Sequence, residues 1–271
     1  MVSIKVPVVE NRQHPHGSFV LAVRAPEIAQ AVVPGQFVMV AVADRGTAPT
    51  PLLKRALAVY SVHPENGLPS IVTFLVKIVG EGTRRLNSVR TGEFLDLVGP
   101  LGNGFDLDRG KGKINLLIVG GTGIASVYLL AEKWYRGGEE VHLVYGGRSA
   151  DYLIGLDDFK RLGLPVFVTT EDGSLGHRGL VTKGFQEYSS KFPKEHINIC
   201  TCGPNAMMEA VTVVAKTQEI PCQISVESKM ACGFGVCLGC TVKTVDSYRL
   251  ACTHGPVFDG TSFVWESNSA R

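Results

Sequence analysis

Up to about residue 108, apolar positions fall in short runs separated by turns. Phe19-Val-Leu-Ala-Val, Gln36-Phe-Val-Met-Val-Ala-Val, Leu57-Ala-Val-Tyr-Ser-Val, Ile71-Val-Thr-Phe-Leu-Val-Lys-Ile-Val and Phe94-Leu-Asp-Leu-Val are rich in β-branched and aromatic residues. Pro34-Gly35, Asn66-Gly67 and Thr91-Gly92 punctuate them. This spacing predicts short strands closing, or nearly closing, into an antiparallel barrel. The N-terminal Met1-Val-Ser-Ile-Lys-Val reads as one more strand, without the basic-then-apolar order of a signal peptide. The best helix candidate in this part is short, from Thr83 to Val89.

Near Lys113 the pattern changes. Ile114-Asn-Leu-Leu-Ile-Val is the apolar run of a strand buried on both faces, and a helical stretch from Ser126 to Tyr135 follows it. Val141-His-Leu-Val-Tyr, Val166-Phe-Val-Thr-Thr and Ile197-Asn-Ile-Cys-Thr-Cys repeat the strand pattern, with helices predicted over 180–187 and 205–216. Alternating strand and helix predicts a doubly wound parallel sheet. The alternation stops near Pro221. The expected division is therefore a β-barrel over 1–108, an α/β domain over 109–220 and a small lobe over 221–271. No internal repeat or low-complexity segment interrupts it.

Composition narrows the function classes. The 271 residues are 45% hydrophobic and 19% charged, with a formal net charge of +2. No basic run exceeds two residues, which argues against a nucleic-acid partner. No apolar run approaches the ~18 residues of a membrane-spanning helix. Seven cysteines is an odd number, and four crowd one segment. Cys200, Cys202 and Cys222 are then expected to be reduced thiols in a cytoplasmic protein.

The crowded segment is Cys232-Gly-Phe-Gly-Val-Cys237-Leu-Gly-Cys240, followed by Cys252. Its spacing, Cys-x4-Cys-x2-Cys-x11-Cys, is that of a plant-type [2Fe–2S] site. A short loop supplies three thiolates only by curling tightly, and Gly233, Gly235 and Gly239 permit that. Zinc would take two Cys-x2-4-Cys knuckles, and only Cys237 with Cys240 forms one.

Other candidate sites are less specific. Gly120-Gly121-Thr122-Gly123 lies between a buried strand and a helix, where glycines and a helix N-terminus admit a pyrophosphate; a plain tight turn is the alternative. Arg148, not an acidic residue, lies just beyond the second strand, so spacing leaves NADH and NADPH both open. Cys202-Gly-Pro ends the last parallel strand, where Cys202 either faces a nicotinamide ring or is a small buried thiol. Arg55 opens the strand with Ala58, and Lys77-Ile-Val79-Gly-Glu-Gly82-Thr83-Arg ends another in a glycine turn before the short helix. That turn either binds an anion or is an ordinary corner. His142, on an apolar strand, reads as a core or edge residue.

The order of these motifs resembles one family. Val98-Gly-Pro-Leu-Gly-Asn-Gly-Phe105, Thr170-Glu-Asp-Gly-Ser174 with Gly179-Leu-Val-Thr182, Cys202-Gly-Pro204 and Met230-Ala-Cys-Gly-x-Gly-x-Cys-x-x-Cys240 are similar to the electron-transfer subunits of NAD-dependent dihydroorotate dehydrogenases. These lie within the ferredoxin–NAD(P) reductase superfamily, and the likeness runs almost the whole length. It implies an FAD-binding barrel, an NAD-binding α/β domain and a [2Fe–2S] lobe. It also implies a hetero-oligomer with an FMN-bearing subunit that oxidises dihydroorotate in pyrimidine biosynthesis. Carried onto matching positions, Arg55, Ala58, Lys77, Val79, Gly82 and Thr83 look like the FAD site, and Gly121, Gly123 and Cys202 like the NAD site. Cys232, Cys237, Cys240 and Cys252 look like the cluster ligands. Two departures stand out: Ala58 replaces a serine or threonine of the flavin strand, and Ser126 replaces a proline after the glycine turn. Tyr60-Ser61 offers an alternative match, to the superfamily's Arg-x-Tyr-Ser, which would put Ala58 on the arginine.

The implied activity is a relay between NAD(H), FAD and the cluster, in which the cofactors carry the redox chemistry. The small subunit of NADH-dependent ferredoxin:NADP oxidoreductase (sulfide dehydrogenase) shares every motif quoted, with a large iron–sulfur flavoprotein as partner. A non-enzymatic scaffold or redox-sensing module is the alternative of another class.

Overall fold

The structure, a computed structural model, describes residues 1–14, 16–42 and 51–265. Its first sheet holds β1 (Val2–His14), β2 (Ser18–Arg24), β3 (Phe37–Val40), β4 (Arg55–Ala58), β5 (Ser61–Glu65), β6 (Leu68–Lys77) and β7 (Phe94–Leu101). Their order is β4-β3-β7-β1-β2-β6-β5, every pair antiparallel. The run expected as one strand from Leu57 bends at Val59-Tyr60. Val59 N–H donates to Gln36 O beside β3, and Tyr60 N–H donates to Thr73 O in β6. One bent segment thus serves both edges of the sheet, which curls it into a half-barrel, short of the full closure the spacing allowed. Phe19, Leu21, Val38, Phe74 and Leu97 fill its interior.

Among the described residues two helices decorate the barrel, α1 (Pro26–Ala29) and α2 (Glu81–Ser88). The C-terminal end of α2 is tied to β1. Asn11 Nδ2 donates to the Leu86 carbonyl at 2.9 Å and the Val89 carbonyl at 2.7 Å, so carbonyls left open by the helix are satisfied.

The second sheet begins with β8 (Ile114–Gly120), β9 (Glu140–Gly147), β10 (Val166–Thr170), β11 (His177–Arg178), β12 (Ile197–Cys202) and β13 (Cys222–Ser225). The hairpin β14 (Thr241–Lys243) and β15 (Tyr248–Leu250) follows, and β16 (Val257–Asp259) returns to the sheet. The order is β11-β10-β9-β8-β12-β13-β16, parallel except that β16 runs antiparallel to β13. Helices α3 (Ile124–Arg136), α4 (Leu156–Leu162), α5 (Val181–Ser189) and α6 (Asn205–Thr217) connect these strands. The parallel sheet therefore continues past Pro221, and the cysteine lobe is an excursion between β13 and β16. The short strand Cys222-Gln-Ile-Ser has no helix after it, which is why strand–helix alternation ends before it.

Barrel and α/β domain meet at the bend in the first sheet. Tyr60 is buried there; its hydroxyl donates to Asp158 Oδ2 at 2.5 Å and its ring stacks on Tyr128 at 4.5 Å. His142 is buried, its Nε2 2.8 Å from Glu140 and its Nδ1 2.8 Å from the Tyr188 hydroxyl, as a core or edge residue would be.

Candidate functional site

A cavity of about 680 Å³ opens at the C-terminal edge of the parallel sheet. Its wall includes Gly121 and Thr122 from the β8–α3 turn, Leu180 to Thr182 at the start of α5, and Gly203-Pro204 before α6. Helix N-termini carry unpaired N–H groups and the positive end of the dipole, so an anionic dinucleotide suits this wall. The two glycines of the turn serve different needs. Gly121 takes φ +52° with open space beside it. A Cβ on Gly123 would stand 2.3 Å from the Cys202 carbonyl oxygen, so this glycine lets α3 close against the end of β12.

Cys202 is fully buried, and neither it nor Gly123 is part of the cavity wall. Burial, and then the charge of Glu227, push the Cys202 thiol up to about 12, only partly opposed by hydrogen bonds with Ser126, Ser225 and Gly203. The thiol stands behind the Gly203 wall and supports it. The motif Gly179-Leu-Val-Thr182 lines the cavity, as do Arg148 and Glu171. Thr170 Oγ1 donates to the Leu175 carbonyl at 2.8 Å, and Ser174 Oγ donates to Asp172 at 2.7 Å, which folds the 170–174 motif into the turn behind them.

A second cavity, about 350 Å³, lies between barrel and α/β domain. Arg55, Ala58, Lys77, Val79 and Thr83 all line it. Val79 and Gly80 N–H groups donate to Thr83 Oγ1 at 2.9 and 3.2 Å, which shapes the glycine turn at the start of α2. Gly82 leaves room for Arg55: a Cβ there would meet the guanidinium at 2.3–2.5 Å. A guanidinium laid over the first turn of a helix is a cradle for a diphosphate. Tyr60 is committed to Asp158 and Tyr128, so the strand presents Arg55 and not a tyrosine ring to this cavity.

The four cysteines of the lobe face one another in pairs. Cys240 and Cys252 Sγ atoms are 3.2 Å apart, and Cys237 lies near enough to Cys232 to bear on its titration. Desolvation raises the Cys232 thiol pKa, but N–H groups of Cys237, Phe234 and Val236, with the Cys237 side chain, hold it down at about 6. Cys252 is pushed up to about 12, first by burial and then by its contact with Cys240. Among the described residues, no three His, Cys, Asp or Glu side chains gather as around a single metal ion. A two-iron cluster takes two thiolates per iron, which is the arrangement of these pairs. Loop N–H groups aimed at sulfur are what such a cluster requires.

The lobe is clamped to the barrel. A Cβ on Gly233 would meet Met39 Cγ at 2.4 Å, so the cysteine loop rests directly on β3. Asn103 N–H donates to Gly255 O at 2.6 Å, and its Nδ2 donates to Thr253 O and His254 O. The motif 98–105 is thus the barrel's grip on the lobe.

Three residues, Lys77, Thr122 and Glu227, line both cavities. Sequence reasoning missed Thr122 as a site residue, and missed Glu227 entirely. It also missed Tyr152, whose ring lies 4.5 Å from Lys77 Nζ across the mouth between the domains. The only sequence signal for Glu227 was its place between the last parallel strand and the first cluster cysteine.

The parallel-sheet domain and the cysteine lobe are both similar to known protein families. Residues 227–264 match a family model described as the iron–sulfur cluster binding domain of dihydroorotate dehydrogenase B, and residues 117–212 match an oxidoreductase NAD-binding domain. The chain is 35% identical to the dihydroorotate dehydrogenase B (NAD(+)) electron transfer subunit of Clostridium acetobutylicum, covering 86% of this chain and 87% of that one. It is 36% identical to the corresponding subunit of Caldanaerobacter subterraneus subsp. tengcongensis, over 83% and 84%. A solved structure of NADH-dependent reduced ferredoxin-NADP oxidoreductase superposes with a TM-score of 0.83 at 30% identity, covering 96% of this chain and 90% of that one. Among the described residues no helix is long and apolar enough to cross a membrane.

Proposed function

The chain belongs to the family of dihydroorotate dehydrogenase B electron transfer subunits, and from that premise we propose that it passes electrons between NAD(H) and a catalytic partner subunit through FAD and a [2Fe–2S] cluster. The observation that carries this reading is continuity. The glycine-turn cavity joins the barrel cavity at Lys77, Thr122 and Glu227, and Met230, on the wall of the second cavity, lies two residues from Cys232.

Each part of the chain has a task. Gly121, with the starts of α5 and α6, receives the dinucleotide, while Gly123 and Cys202 keep the wall behind it closed. Arg55 and the first turn of α2 hold the FAD diphosphate, with Lys77 as a further cation and Val79 contributing its backbone. Ala58 lines the cavity without a hydroxyl. Cys232 and Cys237 hold one iron, Cys240 and Cys252 the other. Bound FAD supplies the exchange between two-electron and one-electron chemistry; the chain supplies distance and orientation.

Cys237 is the exposed member of the four, and exposed Phe234, Val236, Leu238, Val245 and Tyr248 lie on the same lobe. Such an apolar patch marks a protein contact, and we assign it to the FMN-bearing subunit that oxidises dihydroorotate. No cysteine is tied up in a disulfide, and Cys200, Cys202 and Cys222 are buried reduced thiols, as a cytoplasmic location favours.

The likeness to the ferredoxin-NADP oxidoreductase structure favours a second reading, in which the same relay feeds a large iron–sulfur flavoprotein. Purification under anaerobic conditions with co-purifying chains separates the two. An FMN enzyme that oxidises dihydroorotate is the expected partner, and a large iron–sulfur reductase selects the second reading. A preparation containing zinc and no flavin would overturn both.

A further inference from the structure

Among the described residues, Glu227 is the only carboxylate on the wall of the barrel cavity, and it also borders the nicotinamide-side cavity, where Glu171 is the other acid. Thr122, in the glycine turn, lines both cavities with it. The Glu227 side chain stays open to the cavities, yet surrounding protein desolvates it and holds its pKa above the ordinary carboxyl value. Cys202 on β12 lies close enough to feel its charge. Lys77, Arg55 and Arg148 face the same two cavities, but among the described residues no ion pair within 4 Å engages Glu227. An acid at the seam of two cavities, paired with no cation, calls for a role.

Proton accounting supplies one. A hydride carries two electrons and one proton, whereas a cluster removes electrons singly and takes no proton. Each electron pair travelling from nicotinamide to cluster therefore leaves one proton at the flavin, and the reverse journey consumes one.

Building on the function proposed above, we propose that Glu227 takes up this proton as electrons leave for the cluster, and returns it when they flow the other way. In the forward direction NADH becomes NAD⁺ and its hydride reaches FAD. The cluster would take the two electrons one at a time and hand each to the acceptor on the partner subunit, which would restore FAD, while the proton moves to the Glu227 carboxylate and from there to water. Glu171 belongs to the nicotinamide-side cavity alone, and the Cys202 thiol is sealed behind Gly203.

The test uses the full chain with FAD and cluster bound, as wild type and E227Q, in anaerobic stopped flow. Glutamine keeps the shape and an acceptor oxygen but holds no exchangeable acidic proton. NADH bleaches the flavin in one experiment; in the other, pre-reduced flavin is reoxidised through the cluster by excess ferricyanide. Reoxidation in E227Q is expected to slow about a hundredfold more than bleaching does, the usual scale of a lost acid–base group. Its rate is also expected to lose the wild-type pH dependence. Equal slowing of both steps would make Glu227 a group that merely positions nicotinamide, and no slowing would leave it without a part; either result overturns the proposal. A wild-type flavin that NADH fails to bleach would instead overturn the underlying function. Should E227Q not hold FAD, wild type alone suffices. Carbon-13 labelling of glutamate is expected to shift a protonated-carboxyl band in the reduced-minus-oxidised infrared spectrum, and its absence counts against the assignment.

Discussion

The guanidinium of Arg55 occupies the space that a side chain on Gly82 would fill, with Nε only 2.3 Å from where that Cβ would stand. The obstacle is the far end of a flexible side chain and not backbone, so Gly82→Ala is expected to push Arg55 aside and leave the fold intact. Alanine in a helix is favoured over glycine by about 0.5–1 kcal/mol, so the flavin-free chain should melt no earlier than wild type. FAD should nonetheless bind at least about tenfold more weakly, roughly 1.4 kcal/mol, because the cradle has lost its cation. Flavin-fluorescence titration beside a thermal melt checks both halves. Unchanged FAD affinity would remove Arg55 from the site.

Gly121 and Gly123 stand two residues apart and are predicted to fail differently. Gly121→Ala places a side chain at φ +52° in open space, a penalty of about 1–2 kcal/mol, on the cavity wall itself. Its loss should appear chiefly as weaker NADH binding. Gly123→Ala drives a methyl into the Cys202 carbonyl, which cannot swing away, so overpacking of about 3 kcal/mol or more is expected. Urea denaturation with and without NADH separates the cases. Equal apo-stability in the two variants would contradict the packing argument.

That contrast shows what the chain discloses by itself. Both glycines were legible as a tight turn between strand and helix, because strand, turn and helix are contiguous. The cysteine spacing was legible for the same reason: local chemistry leaves a local signature. Relationships set by topology were not. Nothing near Leu57 announces that the run bends at Tyr60 to serve both sheet edges, since both partners, Gln36 and Thr73, are remote in sequence. Gly82 reads as a turn residue until Arg55 is seen above it. Glu227 reads as one more surface acid, and only the meeting of two domains makes it the carboxylate at their seam.

The desolvation of Glu227 makes a prediction about stability that needs no cofactor. Its folded pKa lies above the unfolded value. Below the ordinary carboxyl range both states are protonated and it has no effect. As pH rises through that range, the unfolded chain releases the proton while the folded chain keeps it, so stability falls until pH passes the folded pKa. Above that, wild type carries a desolvated charge that E227Q lacks. The melting temperature of E227Q relative to wild type should therefore rise from acidic to neutral pH. A difference that stays constant, or shrinks, would show that Glu227 is well solvated.

The lobe's anchoring predicts what happens without the cluster. Both of its ends are built into the parallel sheet, through β13 and β16, and Asn103 holds it from the barrel. Neither support passes through a cysteine sulfur. Cys237→Ser removes the most exposed of the four thiols and leaves one iron with a single protein sulfur. Iron content and visible cluster absorption are expected to collapse from roughly two irons per chain toward none, while FAD stays bound and NADH still bleaches it. Cys200→Ser, at a buried thiol on β12 far from the lobe in sequence, should keep its iron. Iron and flavin are measured on the same preparations. If Cys237→Ser retains the full iron signal, the ligand set is wrong; if it loses flavin together with iron, the lobe and the barrel cavity depend on each other more than these anchors allow.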